Sequence, residues 1–564
     1  MATDTTTGPT TAPGERERPA TDDADADADT GTGTDVTDGN ADLPTSVVLA
    51  AGAVAAAVLL PLLWLLVAGL DAGVEGLRAT VRPTAVRVMG NSLVLVTLVT
   101  ACSTAIGVPL AYLVVRTDLP LRRFFTVAAA LPLVVPSYIG AFAFVSAFGR
   151  SGDLNGALVG LGLGLPRVPE VAGLEGTTLV LTLYTYPYVF LTARAALVSM
   201  DDSLVEAART LGHGRLAAFR RVTAPRIRPA VGAGALLVAL YALSDFGTPA
   251  ILRYDVYTRV IFVEQRAFNT DLAAVLSIQL VVVTAVVLAV ESRLRGDAPV
   301  HSTGGRSTDR VRLGRWRWVA ALLPTAVALV ALAVPLAVLV LWLLRDAAST
   351  GAALAFQPSY AVNSVAVAGG AALLTAALGL PVAYVAARGD SRLAGLVERA
   401  TWVGYAVPGV VLGLALVYFG ARYGGGLYRQ GLVLLPLLVF AYVVRFLPQA
   451  VGATRASVLG VDPRLPEAAR SLGADRGRSF RRVVLPLVAP GLIAGAALVF
   501  LTTMKELPAT LLLRPAGFST LATHIWSVQD QGYFGYAAVP ALILLGVSAL
   551  SMYVLVRTEG GNVR

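Results

Sequence analysis

The sequence predicts an all-α polytopic membrane protein built from two similar halves. Three observations carry this reading. Hydrophobic residues make up 56% of the chain and charged residues only 14%, with a mean hydropathy of +0.69. A soluble domain of this length does not tolerate that balance. Apolar runs of about 20 residues recur, each long enough to cross a hydrocarbon core of roughly 30 Å. They are continuous rather than alternating, which argues against a β-barrel. Finally, long stretches of the first half reappear without gaps in the second.

The elements follow in order. Residues 1–44, with "TDDADADADTGTGTD", hold too little apolar surface to fold and read as a disordered acidic tail. The tail lacks the basic region and apolar core of a signal peptide. About twelve crossings follow, starting near Ser46, Met89, Phe124, Thr177, Pro229, Asp271, Trp318, Val362, Ala400, Leu432, Pro490 and Tyr536. The first half is expected over 45–291, a cytoplasmic linker over 292–317 and the second half over 318–564. Putting the tail inside leaves most arginines on the cytoplasmic side, with both termini cytoplasmic. That placement also accounts for the formal charge of +9 without a nucleic-acid partner.

Composition removes several chemistries. The single cysteine, Cys102, allows no disulfide framework, and His213, His301 and His524 are too scattered for a histidine metal site. The one lysine, Lys505, follows "FLTTM" and precedes Glu506. It therefore stands outside the glycine-rich phosphate loop that needs a lysine before Ser or Thr. No catalytic set, metal site or cofactor is expected in this chain, and any ATP must bind elsewhere.

The repeat is extensive. "NSLVLVTLVTACSTAIGVPLAYLVVRTD" from Asn91 aligns with "NSVAVAGGAALLTAALGLPVAYVAARGD" from Asn363, pairing Tyr112 with Tyr384 and Arg116 with Arg388. Pro136 and Pro408 keep that offset. Six crossings per half give both halves the same orientation, a parallel repeat with a pathway expected between them.

The most specific copy is hydrophilic. "EAARTLGHGRLAAFRRVTAP" from Glu206 reappears as "EAARSLGADRGRSFRRVVLP" from Glu467. Asp201 or Asp202, and Asp462, suit a helix start; Gly212 and Gly473 suit a left-handed stop. A basic helix follows in each copy, broken before the next span by Pro225 or Pro486. The spacing predicts two helix–turn–helix elbows, near 201–229 and 462–490, with Phe219 and Phe480 at matching positions.

These elbows resemble the EAA loop of binding-protein-dependent ABC importer permeases. The resemblance covers roughly residues 85–560 and implies a type I importer transmembrane domain with both permease halves fused. It also implies docking of two copies of an ABC ATPase subunit, one per elbow, and delivery of cargo by an external substrate-binding protein. The carried-over positions are Glu206, Ala207, Ala208, Gly212 and Pro225, and Glu467, Ala468, Ala469, Gly473 and Pro486. Phe219 and Phe480 join them as repeat-matched candidates. Copy one has "TAP" where that family often has "LP".

Two acids interrupt later spans. At the elbow offset Asp245 pairs with Glu506, Arg253 with Arg514 and Tyr257 with Phe518. A charge deep in a span costs about 2.5–3.5 kcal/mol on insertion scales. Asp245 and Glu506 are thus candidates for the translocation pathway, as a gate or transient cation contact. The other reading is a structural contact between helices, with Arg445 as a partner. The strings "LSDFGTPAILRYDVYTR" and "MKELPATLLLRPAGFSTLATHIW" are similar to fused iron(III) permeases, which implies iron as cargo. Thiamine, aminoethylphosphonate and polyamine permeases are the alternatives. The segments 253–269 and 514–534 are candidates for the binding-protein face. A secondary transporter also fits two six-span halves, but it would need no paired elbows.

Overall fold

The computed structural model describes residues 43–149 except 72, 170–295 except 202, 310–346, and 355–560 except 390. The acidic tail up to residue 42 and linker residues 296–309 lie outside the described residues. Among the described residues nine helices are long and apolar enough to cross a membrane, and two further helix pairs pass that test together. These pairs, Arg122–Val134 with Ser137–Phe148 and Arg392–Ala406 with Gly409–Tyr423, are bent by 95° and 100°. The remaining expected crossing is Gly173–Ser199, 27 residues long. Its threonines and tyrosines make it less apolar than the rest, and nearly all of its middle turns are buried.

Proline causes both bends. Val135 and Val407 precede Pro136 and Pro408 and are extended, with ψ of 123° and 121°. The ring of a proline pushes the preceding residue out of the helical region. The third and ninth crossings are therefore broken rather than straight. They still carry the chain across. The helices Pro83–Arg116 and Gly173–Ser199 run parallel, since Ser103 meets Thr185 at 3.0 Å while Arg116, further along, meets Leu197 at 2.8 Å. The chain must return between them.

Matching residues of the two halves make matching bonds. Arg116 donates to the Leu197 carbonyl at 2.8 Å, and Arg388 to that of Val458 at 3.1 Å. Asn91 donates to the Asp255 carbonyl at 2.9 Å, and Asn363 to that of Ser519 at 3.0 Å. Ser92 accepts the Tyr257 amide at 3.1 Å, and Ser364 accepts the Leu521 amide at 2.8 Å. This last pair corrects one expectation. Tyr257 corresponds to Leu521 and not to Phe518, because the second half carries a longer loop between Arg514 and the helix Leu521–Asp530.

The halves are interlocked. The first helix, Thr45–Asp71, packs on second-half helices Pro358–Arg388, Arg392–Ala406 and Gly409–Tyr423. Trp64 lies 5.4 Å from Phe419 and 4.6 Å from Tyr423, ring to ring, and Asp71 accepts from Arg422 at 2.7 Å. Reciprocally, Gly314–Leu344, the first long helix of the second half, packs on the first. Tyr184 donates to the Ala331 carbonyl at 3.3 Å, and Phe142 meets Trp342 edge-on at 4.9 Å. The linker's end is tied down too: the Leu313 amide donates to Asp118 at 2.7 Å. Leucines such as Leu63 and Leu322 point outward, as suits helices whose solvent is lipid.

Candidate functional site: two elbows and a central cavity

Each elbow starts with an aspartate. Asp201 accepts the Ser203 amide and Asp462 the Arg464 amide, both at 2.9 Å. The amide of Ser203 holds the Asp201 carboxyl below its ordinary range, because that bond favours the charged form. The short helices Ser203–Thr210 and Arg464–Ser471 then stop at glycines with φ of +83° and +86°. At both stops two amides fold back. Gly212 donates to the Arg209 carbonyl at 3.0 Å and His213 to Ala208 at 3.1 Å; Gly473 donates to Arg470 at 2.9 Å and Ala474 to Ala469 at 3.1 Å. This is the Schellman closure, which favours glycine at the left-handed position.

The second arm departs from expectation. Pro225 and Pro486 do not break it: Arg215–Ser244 and Arg476–Met504 each run on as one long helix. The turn before each proline widens instead. The Ala224 amide reaches back to Phe219, and the Leu485 amide to Phe480, one residue further than in an α-helix. A widened turn relieves the clash between the proline ring and the preceding turn. Phe219 and Phe480 open these turns and pack edge-on against Tyr112 and Tyr384, with centroids at 5.3 and 5.8 Å.

Of the elbow residues singled out from sequence, Glu206, Ala207, Gly212 and Pro225 are exposed, Ala208 is buried and Phe219 is half-buried. In the second copy Glu467, Ala468, Gly473 and Pro486 are exposed, while Ala469 and Phe480 are half-buried. Sequence reasoning passed over Leu211 and Leu472, which are 79% and 89% exposed just before the glycines. Their signal was present: a leucine repeated in a segment otherwise polar.

Asp245 and Glu506 line one cavity of roughly 160 Å³ between the halves. Both sit where a helix ends and the chain kinks before a proline. Asp245 accepts from the Ser137 hydroxyl at 2.7 Å and from the Thr248 amide at 3.0 Å; Tyr241 in turn donates to Ser137 at 3.0 Å. Glu506 is 7% exposed and pairs with Arg445 at 3.4 Å. The repeat has diverged here. Arg445 stands where the first half has Tyr184, and Gly409 where it has Ser137. A side chain at 409 would run into Glu506 and Arg445. The glycine thus leaves the space in which the ion pair forms. Lys505, also on the cavity wall, does not pair with Glu506; its ammonium donates to the Leu133 carbonyl of the other half at 3.0 Å. Among the described residues no group of His, Cys, Asp and Glu could hold a metal ion.

On the face opposite the elbows, the segments after the two acids form helices Tyr257–Arg266 and Leu521–Asp530. A wider cavity of roughly 650 Å³ lies there, lined by Arg253, Arg259, Arg266, Gln529 and Asp530 among others.

The sequence was compared with known proteins. The model for the binding-protein-dependent transport system inner membrane component matches residues 103–295 and again 379–558. The Fe(3+)-transport system permease protein FbpB 2 of Haemophilus influenzae is 30% identical over 504 residues, covering 88% of this chain and 95% of the relative. The ferric transport system permease protein FbpB of Actinobacillus pleuropneumoniae is 27% identical over 485 residues, covering 82% and 69%. A probable molybdenum ABC transporter permease protein of Haloferax volcanii is 35% identical over 202 residues, 36% of this chain and 71% of the relative. With two family matches, two elbows and two interlocked bundles in one polypeptide, the chain belongs to the inner membrane components of binding-protein-dependent transport systems, as a permease with both halves fused.

Proposed function

We propose that this permease imports ferric iron, driven by two copies of an ABC ATPase that dock on the two elbows. The observation that carries the cargo is the near full-length similarity to a relative named for Fe(3+) transport; the molybdenum relative matches only 36% of the chain. In this reading the elbows face the cytoplasm, as do both termini, and an external binding protein delivers iron to the opposite face around Arg253–Arg266 and Gln529–Asp530. Iron is cargo, so the chain needs no resident metal. ATP belongs to the partner subunits.

The geometry supports a coupling route. Glu206, Ala207 and Leu211 are presented outward in the first elbow, and Glu467, Ala468 and Leu472 in the second. A stiff stop at each glycine and a rigid aromatic contact behind each arm let a push on the elbow reach the long helices. Those helices, Arg215–Ser244 and Arg476–Met504, end at Asp245 and Lys505–Glu506. Movement at the elbows therefore ends at the cavity wall, where Asp245 and Glu506 are the proposed pathway residues.

The test is reconstitution of the permease with its ATPase and iron-loaded binding protein in liposomes. ATP-dependent accumulation of radioactive ferric iron is expected, with molybdate and thiamine not accumulated. Accumulation of one of those in place of iron would overturn the cargo assignment.

A further inference from the structure

The cavity contains an unmatched pair of charges. Glu506 has Arg445. Among the described residues no ion pair joins Asp245 or Lys505 to an opposite charge. Asp245 is held by Ser137 and the Thr248 amide, and Lys505 by the Leu133 carbonyl. The wall therefore carries a carboxylate lacking a cation and an ammonium lacking a carboxylate, in one space of roughly 160 Å³. The rest of the lining is rich in hydroxyl and amide oxygen, from Tyr188, Tyr241, Tyr405, Gln449 and Thr502. Such oxygen suits a hard cation.

We infer that Lys505 is the resident counter-cation of this route: held on the Leu133 carbonyl at the cavity wall, its ammonium supplies the positive charge of the route between transport events and repels small cations. The inference rests on the proposed reading of the cavity as the transport path. A carboxylate in a low-dielectric cavity draws in any available cation. A tethered ammonium supplies that charge without leaving the protein.

The residue type fits the task. Lys505 is the only lysine in the chain. Lysine is a point charge on a flexible stem, whereas the arginine fork is held in a fixed geometry. Arg445, which has a permanent partner, is the fork; Lys505, which must move, is the flexible charge. Its tether also spans the seam. Leu133 lies in the turn before the bend of the third crossing, and Lys505 at the end of Arg476–Met504. Separation of the halves breaks the bond between them and withdraws the ammonium as the path opens. The first-half counterpart of Lys505 is Ser244, so the device is single.

The experiment uses the full complex in liposomes without ATP, and reads passive potassium entry with a potential-sensitive dye. Lys505→Met is expected to raise the leak at least about tenfold, and Lys505→Arg to leave it at the wild-type level. Adding Asp245→Asn to Lys505→Met should bring the leak back down, because the attracting carboxylate is gone. Copurification with the ATPase checks that each variant is assembled. If Lys505→Met does not assemble, Lys505→Gln keeps a donor for Leu133 without the charge and carries the same expectation. An assembled, uncharged variant as tight as wild type, a Lys505→Arg variant that leaks, or a double variant as leaky as the single one would overturn the inference. Failure of ATP-driven iron uptake by the wild type in the same liposomes would count against the cargo, and leaves the leak comparison standing.

Discussion

Glu506 and Arg445 show what one absent side chain does. Gly409 makes room for their pair, while Ser137 at the matching position of the first half donates to Asp245 instead. Removing one member of a buried pair strands the other, a loss of about 3–5 kcal/mol, whereas replacing both by apolar residues is often neutral. Glu506→Gln is therefore expected to lower the thermal stability of the purified permease clearly. Arg445→Met combined with Glu506→Leu should recover most of that loss; melting in detergent of the wild type, Glu506→Gln and the double variant checks it. The two acids were legible in the sequence because charge is rare in a span. The glycine was not. It is one of 55, and nothing in the chain marks the one whose missing Cβ holds a pair apart from its neighbours.

At the level of the element, the shape of the elbow is set by a left-handed stop closed by two backbone hydrogen bonds. A Cβ on Gly212 or Gly473 would meet nothing within 4 Å. The obstacle to replacement is thus the backbone at φ of +83° and +86°, not crowding. A β-branched residue resists that region strongly. The Gly212→Val, Gly473→Val double variant is expected to keep its membrane bundle and lose ATPase binding, since only the elbows change shape. Copurification set against a melting curve of the permease alone would separate the two effects, and normal copurification would sink the elbow assignment. The stops could be read in advance, from aspartate at one end and glycine at the other. The fate of the prolines could not. Pro225 and Pro486 read as breaks, because a local rule does not say that a helix held by Phe219 on Tyr112, or Phe480 on Tyr384, will widen its turn rather than end.

For the whole molecule, interlocking decides what the fusion is for. The halves are joined by a linker, and also by Trp64 between Phe419 and Tyr423 and by Trp342 against Phe142. Cutting the linker between residues 296 and 309 is expected to leave the two fragments associated; purification by a tag on one fragment alone checks it, and recovery of that fragment without the other would show that the covalent link is essential. The crossings were legible because lipid demands long apolar helices whatever they touch. The exchange of first helices was not, because an apolar helix surface does not specify its partner. That exchange also imposes a schedule on biosynthesis. At 5–20 residues per second, the partners of Thr45–Asp71, which end at Tyr423, are finished roughly 20–70 s after it is made. Through that interval the first helix waits in lipid without its second-half partners, and the first half in turn stays incomplete until Gly314–Leu344 has left the ribosome.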